Sequence, residues 1–218
     1  MNFETLSIFR GRSPLRLLMD WAVGGDCVLC AGASARGPVC AECAADLPGV
    51  RDRAPGVSVA FAYRFPVDRL VLRMKGGDLA VGSWLADRLV EAVRHEPRPA
   101  LLVPVPMRAR RLRERGFNPA AEIARRVGSR LRVACAARGA RKVRDTRPQQ
   151  GLDRRARRLN VRRAFECRVD VRGRDVAIVD DVVTTGATAK ALASALRRAG
   201  ARRIRVWAVA RAPGGRAR

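Results

Sequence analysis

The sequence predicts an α/β fold, a parallel sheet flanked by helices, with a small four-cysteine module ahead of it. Three observations predict it. Val176–Val179 form an apolar strand that stops at the carboxylates Asp180 and Asp181; a Thr/Gly turn, an Ala-rich helix to about Ala199 and a second apolar run, Ile204–Ala210, follow. Strand, helix and strand at that spacing make a βαβ unit, which requires parallel pairing. Leu101–Val105 (LLVPV) is a short unbroken apolar run, the pattern of a strand buried on both faces. Cys27-x-x-Cys30 and Cys40-x-x-Cys43 place four thiols within 17 residues.

The elements follow in order. In residues 1–26, Leu15, Leu17, Leu18 and Trp21 suggest a short amphipathic helix. The cysteine knuckle occupies 27–43, with Gly32 and Gly37 allowing its linker to turn back. Residues 44–56 hold two Pro and two Gly and read as a linker. Val57–Tyr63 is a strand candidate, and Val67–Met74 is an apolar-rich segment ending at Lys75-Gly76-Gly77-Asp78. Trp84, Leu85, Leu89 and Val93 recur at helical spacing over Leu79–Arg94, before Pro97 and Pro99. After the Leu101–Val105 strand, Pro104 and Pro106 mark a special turn and Gly116 a bend. Asn118-Pro119 opens a helix to about Val127 in the N-cap and N1 pattern. Arg138–Arg163 is too polar for core and too long for an ordinary connection. Cys135 and Cys167 stand alone and read as small buried side chains. The domain boundaries expected are 1–50, 57–212 and a loose tail, 213–218.

Composition limits function. Of 218 residues, 45 are Lys or Arg and 20 Asp or Glu, a net charge of +25. Between Leu101 and Phe165, 20 basic residues face four acidic ones, an excess of 16. That density points to an anionic partner, nucleic acid or phosphorylated small molecules; a solvated surface in an Arg-rich chain is the alternative. No apolar run approaches the ~18 residues of a membrane span. Glu4, Arg10, Arg12, Arg16 and Asp20 break up any signal-peptide core, so the expected compartment is the cytoplasm. The single His, His95, excludes a Ser-His-Asp triad and a paired-His zinc protease site. Neither GxGxxG nor GxxxxGK[ST] occurs.

In a reducing compartment, four cysteines at this spacing favour one tetrahedral Zn²⁺ on Cys27, Cys30, Cys40 and Cys43 over disulfides, redox thiols or a metal-free remnant. Four thiolates leave no open coordination position, so the metal would be structural. The second chemical feature is the turn. A strand delivers Asp180 and Asp181 to the carboxyl edge of a parallel sheet, where α/β ligands bind. Thr184, Thr185 and Thr188 supply hydroxyls, Gly186 permits close backbone approach, and the following helix presents its N–H groups. Such a turn suits a phosphate monoester held without a lysine, and the carboxylates suit vicinal hydroxyls: together, a ribose 5-phosphate. A plain Thr-capped turn with two solvated carboxylates is the alternative.

Asp180–Thr188 resembles the phosphoribosyl pyrophosphate (PRPP) signature of type I phosphoribosyltransferases. The chain as a whole resembles the ComF/GntX family of competence-associated proteins. The resemblance rests on the cysteine knuckle, Lys75-Gly76-Gly77-Asp78, Val103-Pro104-Val105-Pro106, Arg111–Asn118, and Arg144–Arg147 through Gln150, Arg158, Asn160 and Phe165. The chain departs from the family pattern at Pro119, where Gln is usual, and near Met107, where His is frequent.

The resemblance implies a type I phosphoribosyltransferase-like sheet, with Asp180 and Asp181 as the catalytic pair on the ribose. Asp180, Asp181, Val182, Val183, Thr184, Thr185, Gly186, Ala187 and Thr188 would bind PRPP. Pro106, Met107 and Arg108 would form the pyrophosphate turn. Arg113, Arg115 and Arg147 would make pyrophosphate or lid contacts, the lid lying around Arg144–Arg158. Mg²⁺ would accompany PRPP. The activity implied is pentosyl transfer to an unknown acceptor, with a role in DNA uptake beside a competence helicase. A non-catalytic single-stranded DNA-binding module on the same fold is the alternative. The chain is too short to hold a glutaminase domain as well.

Overall fold

The computed structural model describes residues 25–35, 37–50, 54–143 and 164–212. The expected helix in 1–26, the lid around Arg144–Arg158 with Arg147, and the tail 213–218 lie outside the described residues, apart from Gly25 and Asp26. The chain divides into two compact units, one through Asp46 and one from Leu47.

In the first unit, β1 (Gly25–Asp26) pairs antiparallel with β2 (Ala33–Ser34), and α1 (Ala41–Ala45) follows. α1 has no buried residue. The expected linker is therefore shorter than 44–56, because Ala44 and Ala45 are helical and Leu47 is buried.

In the second unit, β3 (Val57–Ala62) leads to α2 (Val67–Lys75) and α3 (Leu79–Val93). β4 (Leu101–Pro104) is followed by α4 (Ala109–Arg115), α5 (Pro119–Leu131) and the short β5 (Ala134–Cys135). β6 (Ala140–Lys142) pairs antiparallel with β7 (Phe165–Cys167). β8 (Asp175–Val183), α6 (Ala187–Arg198) and β9 (Arg203–Arg211) form the βαβ unit. One sheet, all parallel, runs β3-β9-β8-β4-β5.

The centre of this sheet is dry. Val176, Ala177, Ile178 and Val179 are all fully buried, as are Leu102 and Val103 beside them. Side chains alternate across a strand. Val176 and Ile178 join Leu101, Val103, Leu192 and Leu196 in one cluster under α6. Ala177 and Val179 therefore face the other side, where α3 and α5 bury Leu85, Leu89, Ile123 and Val127. α2 buries Val67, Leu70, Val71 and Met74, an i, i+3, i+4, i+7 stripe. Trp207 donates from Nε1 to Glu96 Oε2 at 3.1 Å, and the Ser58 hydroxyl donates to Oε1 of the same carboxylate.

The apolar stretch Val176–Val179 is the buried part of a β8 that spans Asp175–Val183 as its sequence suggests: ladder bonds to β9 carry it through Asp180–Val183, with Val183 opposite Arg211. Three expectations are corrected. α5 runs past Val127 to Leu131, because Gly128 makes room for the Val133 carbonyl, which a Cβ there would meet at 2.7 Å. Ala140–Lys142, read as loop, is a strand whose partner lies beyond residue 164. Cys135 and Cys167 are half-buried rather than enclosed, since each sits on a short edge strand.

Candidate functional site

β8 ends at the carboxyl edge of the sheet, and there a cavity of about 470 Å³ opens, a size in the range of ~300–1,000 Å³ for small-molecule sites. Asp180, Asp181 and Val182 line one side, with Thr188 from the first turn of α6. The turn after β4 supplies Val105, Pro106, Met107 and Arg108, and α4 supplies Arg111 and Arg115. Asn118, Lys75 and Lys142 complete the polar lining. Among the described residues, two carboxylates thus face five basic side chains.

The doublet is held closely. Asp181 Oδ2 forms an ion pair with Lys75 Nζ at 2.9 Å, and its Oδ1 accepts from Val182 N at 2.8 Å. Asp180 Oδ1 accepts from Asp181 N at 2.9 Å. Burial, reinforced by the neighbouring Asp181 charge, pushes Asp180 well above the ordinary carboxylate range. Burial acts the same way on Asp181, but the Lys75 charge and hydrogen bonds outweigh it and hold Asp181 low. The two neighbouring carboxyls are thus pushed in opposite directions, Asp180 up and Asp181 down.

The opposite wall follows from local rules. α4 ends at Gly116, whose φ of 83° lets the chain reverse. Arg111 and Arg115, four apart, share the face toward the cavity, whereas Arg113 lies about half a turn away and does not line it. No residue of α4 is buried. Asn118 joins the two walls: Oδ1 caps α5 by accepting from Ala120 N at 3.2 Å, and Nδ2 donates to the Val105 carbonyl at 3.0 Å. Lys142 Nζ lies 5.8 Å from the centre of the Phe165 ring.

Of the residues expected from sequence, Asp180, Asp181, Val182, Thr188, Pro106, Met107, Arg108 and Arg115 meet in this cavity. Thr184, Thr185 and Ala187 are exposed, Gly186 takes φ 72° at the α6 N-cap, and Val183 is buried. None of these five lines the cavity. Lys75, Arg111, Asn118 and Lys142 were not expected there. The i, i+4 spacing of Arg111 and Arg115 was available as a signal; nothing in the sequence marked Lys142.

In the first unit the four cysteine sulfurs lie within 4.8 Å of one another. Cys30 and Cys40 Sγ are 3.8 Å apart, close to the ~3.8 Å edge of a tetrahedron built on Zn–S bonds of ~2.3 Å. Backbone N–H groups of Gly32, Cys40 and Cys43 donate to Cys30, Cys27 and Cys40 sulfurs, each at 3.4 Å. Burial would raise the Cys27 thiol, but backbone donors from Cys40, Cys30 and Leu29 outweigh it and bring it to about 6. The donor set fits a tetrahedral soft-metal ion. Divalent Mg²⁺ fits the cavity less directly, because both Asp181 oxygens already have donors; ligand oxygens would hold it.

Residues 112–218 match the family model described as phosphoribosyl transferase domain. Competence protein F of Haemophilus influenzae is 32% identical over 155 residues, 70% of this chain and 64% of that protein. DNA utilization protein YhgH of Escherichia coli O157:H7 is 33% identical over 156 residues, 68% of this chain and 69% of that protein. The chain belongs to the ComF/GntX family. It spans somewhat under two thirds of the length of Competence protein F. Among solved structures, the allosteric regulatory enzyme of purine biosynthesis aligns with a TM-score of 0.41 at 21% identity, over 59% of this chain and 26% of that one. This ComF/GntX member carries a phosphoribosyltransferase-like domain built on a parallel sheet flanked by helices, with four cysteines clustered near its N-terminus. No helix among the described residues is long and apolar enough to cross a membrane.

Proposed function

We propose that the cavity binds a phosphorylated pentose, PRPP or ribose 5-phosphate, and that the protein acts in handling incoming DNA. One observation carries the first statement: the paired carboxylates, Thr188 and the arginines of α4 surround one cavity at the carboxyl end of a parallel sheet. In this reading Asp180 and Asp181 hold the ribose hydroxyls, and Thr184–Thr188 with the α6 N-terminus hold the 5-phosphate. The Pro106–Arg108 turn, Arg111 and Arg115 receive pyrophosphate, for which planar guanidinium donors are suited.

Pentosyl transfer needs positioning of C1 and neutralisation of the departing pyrophosphate more than it needs a base. A chain with one histidine, placed away from the cavity, meets that requirement. Where PRPP brings Mg²⁺, the ion would supply further charge neutralisation. The four cysteines are read as a structural Zn²⁺ site.

The DNA role is supported by the names of the relatives, Competence protein F and DNA utilization protein YhgH, and by the net charge of +25. The same charge supports the second reading, a single-stranded DNA-binding module that keeps the fold without turnover. Pyrophosphate release from PRPP, with and without single-stranded DNA, separates the two. Calorimetry tests the site itself: the wild-type chain is expected to bind PRPP, and Asp181→Ala to weaken it by about 10- to 100-fold, the loss of a charged hydrogen bond. Unchanged affinity in a folded Asp181→Ala protein would refute the assignment.

A further inference from the structure

Lys75 is the last residue of α2, where any cation suits the helix C-terminus, but its ammonium pairs with a residue 106 positions away. The backbone that carries it is fixed. The stripe Val67, Leu70, Val71 and Met74 anchors α2, and Gly82 of α3 allows close approach, since a Cβ there would stand 3.2 Å from Met74 Cγ. Asp78 closes the turn between the helices: Oδ1 accepts from Val81 N, and Oδ2 accepts from Arg73 Nε and Nη2, each at 3.1 Å. From this rigid corner the ammonium reaches Asp181 Oδ2 at 2.9 Å, only 26% exposed.

Two adjacent, partly buried carboxylates repel one another and need a nearby positive charge. A divalent ion is one source. Here a compact ammonium on a tethered chain already fills that position, and Val182 N occupies the other Asp181 oxygen. Across the cavity Arg108, Arg111, Arg115 and Lys142 supply cations for phosphate oxygens. The ribose end of a bound pentose phosphate therefore meets carboxylates whose charge Lys75 already balances.

We propose that Lys75 is the resident counter-ion of the Asp180–Asp181 pair, so that the cavity holds a ribose 5-phosphate without a divalent cation. The inference rests on the pentose-phosphate reading of the cavity. Calorimetric titration of the full chain with ribose 5-phosphate tests it, in buffer freed of divalent cations before protein is added and in the same buffer with Mg²⁺. The wild-type affinity is expected to agree within about twofold between the two buffers. K75M is expected to lose at least about tenfold without Mg²⁺ and to recover when Mg²⁺ is added, while K75R stays near wild type. K75Q with unchanged thermal melting repeats the measurement if K75M melts lower. Wild-type binding that requires Mg²⁺, or K75M and K75Q binding as tightly as wild type without it, would overturn the inference alone. Wild-type binding in neither buffer would overturn the pentose-phosphate reading, and the inference with it.

Discussion

The cysteine unit and the sheet-edge cavity keep their shapes by opposite means. Between Gly25 and Asp46, the described residues bury only Cys27, Ser34 and Val39, and the one helix has five residues and no buried side chain. A helix that short does not persist by itself. Beside it, four sulfurs lie within 4.8 Å of one another. The cavity depends on no such cluster. Its carboxylates project from β8, whose preceding four residues are fully buried, so an apolar core positions a polar edge. On the proposed zinc reading, the first arrangement would be lost with its metal, the second with its packing.

Chelation gives the largest expected contrast. Structural zinc in small modules contributes about 10–16 kcal/mol to folding, so metal removal is expected to unfold residues 25–46 while the main cooperative transition persists. Hydrogen exchange reads both units at once. Loss of protection in β8 on chelation would break the comparison, as would purification of a chain with four titratable thiols and no metal.

Leu192→Ala makes the converse change. Leu192 is fully buried against Val176 and Ile178, and truncation leaves a cavity costing about 2–5 kcal/mol. Denaturant melts should show that loss with metal content unchanged.

Asn118→Ala removes a helix cap, worth about 1 kcal/mol, and the tie to the Val105 carbonyl. It is expected to weaken PRPP binding more than its small melting shift suggests, as calorimetry would reveal.

The smallest effect is electrostatic. Asp87 accepts from Arg126 and Arg130 across α3 and α5. Burial would raise its carboxyl, but the Arg126 and Arg130 hydrogen bonds and charges outweigh it and hold it low. A depressed folded pKa contributes stability above the unfolded value near ~3.9, lost as pH falls toward the folded one. Because the partners are partly in water, the contribution is at most about 1 kcal/mol. Between pH 6 and 3, urea midpoints of wild type should converge on those of Asp87→Asn; parallel curves would assign the pair no role.

Local patterns were legible where one short stretch carries its own chemistry. The paired Cys-x-x-Cys motifs, the apolar run into Asp180–Asp181 and the Asn118-Pro119 helix start all lie within a few residues. Long-range pairings were not. Lys75 and Asp181 are 106 positions apart, and the lysine stood out only as part of a resemblance. β6 was read as loop because three residues, two of them charged, carry almost no strand periodicity; only its partner Phe165–Cys167 makes it a strand. Gly128 lies inside α5 because a neighbouring carbonyl needs its space.

The amino-acid order alone determined that this chain builds a parallel α/β sheet with four cysteines before it and two carboxylates at a strand end, since periodicity and spacing act within a turn or a strand. The tertiary structure decided which cations meet those carboxylates, how Arg111 and Arg115 turn inward while Arg113 turns out, and where the cavity closes. Those outcomes depend on packing α2, α4 and β8 around one edge, and contacts between distant segments have no period to betray them.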